Sequence, residues 1–106
     1  MTEFDERERA FEKKFEIDEE LHFKIAARAV RLFGQWAAAQ LGMKGKDAAS
    51  YAGIYIDLGM AKTGIEDAVA KAEKDLRAKG LDLSRHHLEH EFETFYQEAR
   101  RELLGA

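Results

Sequence analysis

Cysteine and proline are both absent from this sequence of 106 residues. Without cysteine there is no disulfide framework and no thiolate metal site, and the chain fits a reducing compartment. Without proline nothing forces a break in a helix, and the heavy load of Ala, Glu, Lys and Leu then favours an all-helical protein. No run approaches the roughly 18 consecutive apolar residues of a membrane span, so no membrane insertion is expected. The opening residues are charged and do not form a basic head followed by an apolar run, so the expectation is a cytoplasmic protein without a signal peptide. Strand-like alternation of useful length and internal repeats are missing too. No specific arrangement of nucleophile, base and acid can be assembled: Ser50 and Ser84 lack motif context, and carboxylate pairs are too numerous to be informative. The expectation is a protein that is not an enzyme.

What is present is charge, unevenly placed. The composition is 45% apolar and 36% charged, which suits one soluble domain large enough to close a core. The net charge is −4, yet residues 1–20 carry nine acids and four bases, a balance of −5. The remaining residues hold 12 acids and 13 bases, so the body is close to neutral. A neutral body argues against nucleic acid as a partner, since non-specific binding needs clustered Lys and Arg.

Two regions follow: a charged amphipathic arm over residues 1–20, partly disordered or helical, and a small antiparallel four-helix bundle over 21–106. In the bundle, Leu21, Ile25, Ala29, Leu32, Phe33, Trp36 and Ala37 recur at helical spacing until Gly42 stops the run. A second helix, capped by Asp47, buries Tyr51, Ile54, Tyr55 and Leu58 and frays near Gly59. A third follows the capping box formed by Thr63 and Glu66, with Ile65, Ala68, Val69, Ala72 and Leu76 inward and Gly80 as its stop. The fourth begins near Asp82 or Ser84 and carries Leu88, Phe92, Phe95, Tyr96, Ala99 and Leu103, the most regular amphipathic pattern in the chain.

The arm obeys a different rule. Between Glu3 and Glu20, 13 residues are charged. Phe4, Phe11 and Phe15 fall within roughly 40° of one another on a helix. A helix that packs into a bundle shows three or four apolar residues every two turns. Burying each phenylalanine stabilises by about 1.5–3 kcal/mol, whereas ordering some 15 residues costs on the order of 15–30 kcal/mol of backbone entropy. The pairs Glu3–Arg7 and Asp5–Arg9, four apart, still favour a helix. Such a segment reads as a nascent helix that folds into a partner's groove. One alternative stays open. His22, Ala26, Ala29 and Phe33 lie near the same meridian, so the stripe is also consistent with an extension of the first core helix.

"FDERERAFEKKF", followed by Asp18, Glu20, Phe23-Lys24, Arg28, Leu32, Gly34, Trp36 to Ala38, Leu41-Gly42, Gly45 and Tyr51-Ala52, resembles the zeta subunit of alphaproteobacterial F-type ATP synthases, an ATPase inhibitor. The match is dense over residues 4 to 52 and thins beyond. The resemblance implies a partner, the catalytic head with its α, β and central stalk subunits, on the cytoplasmic side of the membrane. It also implies a mechanism: the arm enters between an α and a β subunit, becomes helical and blocks rotation, chiefly in the hydrolysis direction. Phe4, Phe11 and Phe15 would then be apolar anchors, and Asp5, Arg7, Glu8, Glu12 and Lys14 would set register by charge pairing. Ala10 would offer a small surface beside them, and the bundle, monomeric when free, would be the docking body.

Other patterns are weaker. Lys24, Arg28 and Arg31 lie along one helix and are candidate ligand-binding residues for a weakly held nucleotide, the alternative function; scattered basic residues are more often a solvated face. A helical adaptor with little inhibitory activity is a further alternative. No cofactor and no metal are otherwise expected. His86 and His90 are four apart, as two zinc ligands would be, but a third ligand is missing locally, and Thr94 breaks the H-E-x-x-H pattern. His86, His87 and His90 read as surface histidines. "GMKGKD" is a turn and not a phosphate loop, because Gln40 and Asp47 occupy positions that the motif reserves for Gly and Ser or Thr. Trp36 and the Tyr51–Tyr55 pair are assigned to the core. His22, where arm meets body, is a candidate pH-sensitive latch, with a half-exposed helix residue as the plainer reading.

Overall fold

The computed structural model describes residues 19–59 and 64–105, and among them forms four helices and no strand. They are α1 (Glu19–Gln40), α2 (Gly45–Gly59), α3 (Gly64–Ala78) and α4 (Arg85–Leu104). The arm residues up to Asp18, and with them Phe4, Asp5, Arg7, Glu8, Ala10, Phe11, Glu12, Lys14 and Phe15, lie outside the described residues, as does Thr63 of the capping box. Glu19 and Glu20, assigned by sequence to the arm, fall in the first turn of α1, where acids complement the helix dipole.

The helix ends follow from the glycines. Gly42 has φ 79°; its N–H donates to the Ala39 carbonyl and Met43 N–H to that of Ala38, so two orphan carbonyls of α1 are satisfied. The same motif closes α3, with Gly80 N–H on Arg77 and Leu81 N–H on Leu76. Ser84 caps α4, its Oγ accepting from His87 N–H at 3.1 Å. Asp47 does not cap α2. The helix starts two residues earlier, at Gly45, and Asp47 stands in its first turn.

α1 packs against all three other helices, while the backbones of α2 and α4 do not meet. Phe33 of α1 bridges that gap. It is fully buried, with Tyr55 of α2 edge-on at 5.8 Å and Phe92 of α4 edge-on at 5.7 Å between ring centroids. Trp36 stacks on Phe33 at 5.8 Å and is half-buried, so it closes the core instead of lying inside it. Ile25, Leu76 and Leu88 are fully buried around this centre, and each contributes about 1.5–3 kcal/mol by leaving water. Close approach is made possible by missing side chains: a Cβ on Gly34 would stand 3.0 Å from Tyr55 Cβ, and one on Gly64 would stand 2.7 Å from the Gly59 and Leu58 carbonyl oxygens.

Three residues assigned to the core are on the surface, each for its own reason. Ile54 is 46% exposed, because it lies about 100° around α2 from the centre of the face formed by Tyr51, Ala52 and Tyr55. Leu103 is exposed in the last turn of α4, where no described element covers it. Ile65 is different. It is in phase with Ala68, Ala72 and Leu76 on the inner side of α3, yet it is 45% exposed, because a groove opens over it.

Candidate functional site

α1 leads the arm into the bundle, and the structure shows what holds that root. Ile25 is buried nearly two turns into the helix, and His22 Nδ1 stands 2.9 Å from the Tyr96 hydroxyl of α4, with the two rings 6.0 Å apart. Burial pushes Tyr96 above the ordinary phenol range, so it stays protonated at neutral pH. Farther along, the Arg28 guanidinium reaches Glu102 at 3.1 Å. These two contacts tie α1 to α4 on its solvent side.

The candidate cations are not gathered into a cavity. Lys24 pairs with Glu20 at 3.4 Å, Arg28 with Glu102, and Arg31 is exposed. They run along the outer face of α1, opposite buried Ile25, Ala29 and Phe33, and none lines either described cavity.

The larger cavity, about 470 Å³, is a groove between α3 and α4 with His22 at one end. Its floor is Val69 and Phe92, both nearly fully buried, extended by Ile65 and Tyr96. Its rim carries Glu66 from α3 and Glu89 and Glu93 from α4, against one cation, Arg85, which pairs with Glu89 at 3.4 Å. The sequence reading missed this groove. The one signal available was Ile65, an in-phase apolar residue next to an acid in the first turn of α3, but its exposure depends on where α4 lies.

The Tyr51–Tyr55 pair is the head of a polar clasp between α2 and α3. Tyr51 Oη donates to Asp75 at 2.7 Å, Lys71 Nζ lies 2.9 Å from the same carboxylate, and the Tyr55 hydroxyl is 2.9 Å from that of Tyr51. Because the single Tyr51 proton goes to Asp75, Tyr55 donates to Tyr51. Lys71 also lies over the Tyr51 ring at 4.9 Å, a cation–π contact. Burial opposes ionisation of Asp75, but the hydrogen bonds from Tyr51 and Lys71 outweigh it and hold the carboxyl below its usual range. Burial pushes Tyr55 up to about 12 and Tyr51 higher still. Every member is partnered within the clasp, which therefore contributes to stability, and Tyr51 and Asp75 also line the smaller cavity, of about 390 Å³, with Leu41, Met43, Ala78 and Lys79.

His86, His87 and His90 are exposed, and His87 Nε2 lies 3.7 Å from Glu91. Among the described residues no three His, Cys, Asp or Glu side chains cluster as a metal site would require, and no helix is long and apolar enough to cross a membrane.

A family model described as ATPase inhibitor subunit zeta matches residues 1–102. No curated protein and no solved structure matches the chain.

Proposed function

The chain belongs to the ATPase inhibitor zeta-subunit family, and from that premise we propose that its arm is the effector, inhibiting ATP hydrolysis by an F-type ATP synthase. The family match begins at residue 1 and so takes in the whole arm. The observation that carries the reading is the stripe of Phe4, Phe11 and Phe15 in a segment with 13 charges between Glu3 and Glu20. That stripe is too narrow for a bundle core, and it suits insertion as a helix into an apolar groove on the enzyme, between α and β subunits and toward the central stalk. Asp5, Arg7, Glu8, Glu12 and Lys14 flank the stripe and fix register by charge, while Ala10 leaves room for close approach. The bundle holds the arm at high local concentration at the entrance. A bundle that binds nucleotide through Lys24, Arg28 and Arg31 gains no support from the geometry, since two of the three are already paired.

The test is ATP hydrolysis by a purified alphaproteobacterial catalytic head, titrated with the intact chain and with a chain lacking residues 2–18. The intact chain inhibits and the deletion does not. Equal inhibition by both would move the effector into the bundle, and no inhibition by either would overturn the reading.

A further inference from the structure

The action proposed for the arm does not call on the groove between α3 and α4, whose lining has a chemistry of its own. It follows α4 from Arg85 to Tyr96, a length of about 16 Å at 1.5 Å per residue. That is the reach of three helical turns, matched in length to one face of a partner helix. The floor is apolar, and Ile65 stands 45% exposed on it, in phase with the core but covered by no described side chain. The walls are acidic. Arg85 is committed to Glu89, and among the described residues no cation pairs with Glu66 on one wall or Glu93 on the other; Glu93 accepts only from Gln97, at 2.9 Å. His22 closes one end, held by Tyr96.

We infer that this groove is a docking site for a cationic amphipathic helix of a partner protein. The apolar side of that helix covers Ile65 and the partly exposed Tyr96 above the buried floor of Val69 and Phe92, and its Lys or Arg side chains reach Glu66 and Glu93. Charge decides the occupant. The chain's own arm carries seven acids and four bases over residues 1–18, a net charge of the same sign as the walls, and so would set acid against acid. The inference rests on the bundle alone and stands whether or not the arm is the inhibitor.

The experiment is a titration of the full ¹⁵N-labelled chain, followed by amide shifts, with two synthetic peptides. One is a helix-forming peptide of about 14 residues with Leu on one face and Lys on the other; the second is residues 2–18 of this chain. The cationic peptide moves the amides of Ile65, Val69, Phe92 and Tyr96, while the arm peptide leaves them in place. The double variant Glu66→Gln/Glu93→Gln, both exposed positions, keeps its spectrum elsewhere and binds the cationic peptide several-fold more weakly, up to about thirtyfold. The inference is overturned if the cationic peptide shifts another face, if the double variant binds it equally well, or if the arm peptide takes the groove. Shifts at the same residues on concentrating the chain alone would overturn it in favour of a second copy.

Discussion

Phe33 and Phe92 meet ring to ring at 5.7 Å in the middle of the bundle, whereas Phe4, Phe11 and Phe15 stand in a stretch where 13 residues between Glu3 and Glu20 are charged. The same side chain is used in two ways within one chain. Phe33 has neighbours on three helices, so its burial is secured by folding. The arm's phenylalanines stand among charges, and three rings alone offset only a small part of the entropy of ordering so many residues. Alanine substitutions in the two sets should therefore separate stability from inhibition.

The largest effect on stability is expected from Phe33→Ala. The ring fills the space between α2 and α4, whose backbones do not meet. Removing it leaves a cavity that the flanking helices cannot close without moving, at a cost of about 3–5 kcal/mol. Thermal or urea unfolding followed by circular dichroism measures it, and a loss under about 1 kcal/mol would mean that the bundle collapses around the gap.

The polar clasp should respond less, and with a signature in pH. Tyr51→Phe removes the donor to Asp75 and the acceptor of Tyr55, costing about 1–3 kcal/mol for partly buried groups left unpaired. Asp75 has a lowered folded-state pKa, so its contribution is full above the usual carboxylate range and disappears as pH falls through the folded value. Tyr55 is raised from 10.0 to about 12, so its contribution is full below pH 10 and is lost as pH rises toward 12. Urea midpoints across pH should fall at both extremes in the parent chain, with the acid limb shallower in Tyr51→Phe. Parallel curves for the two proteins would remove the clasp from the stability of the fold.

Much of this was legible beforehand. Periodicity and glycine stops place four helices, and Phe33, Tyr55, Leu76 and Leu88 read as inward because their spacing holds over two or more turns. Single positions at the ends of a pattern were not. Ile54 fits a helical spacing and yet faces away from α1, since period alone does not say which flank of the stripe a neighbour covers. Ile65 is in phase but uncovered, because coverage depends on the position of α4. The clasp and the groove were illegible for the same reason: each joins residues that only the packing of helices brings together, as Tyr51 with Asp75 and Glu66 with Glu93. In the arm the order is reversed: Phe4, Phe11 and Phe15 are legible by sequence, while the surface proposed for them would belong to another molecule.

The smallest effect on stability, and the sharpest use of the contrast with Phe33, is expected from the double variant Phe11→Ala/Phe15→Ala. If the stripe faces a partner, truncating both rings changes the unfolding free energy by no more than about 0.5 kcal/mol, as at any surface site. Inhibition of ATP hydrolysis should fall by orders of magnitude, since two apolar anchors at about 1.5–3 kcal/mol each are lost. The two readouts together decide between the readings that the stripe allows. A drop in melting temperature comparable to that of Phe33→Ala would place Phe11 and Phe15 on a continuation of α1, in register with His22, Ala29 and Phe33, and would make the arm part of the fold. An unchanged melt with inhibition intact would leave the phenylalanines without a role and shift attention to the charges at Arg7, Glu8 and Glu12.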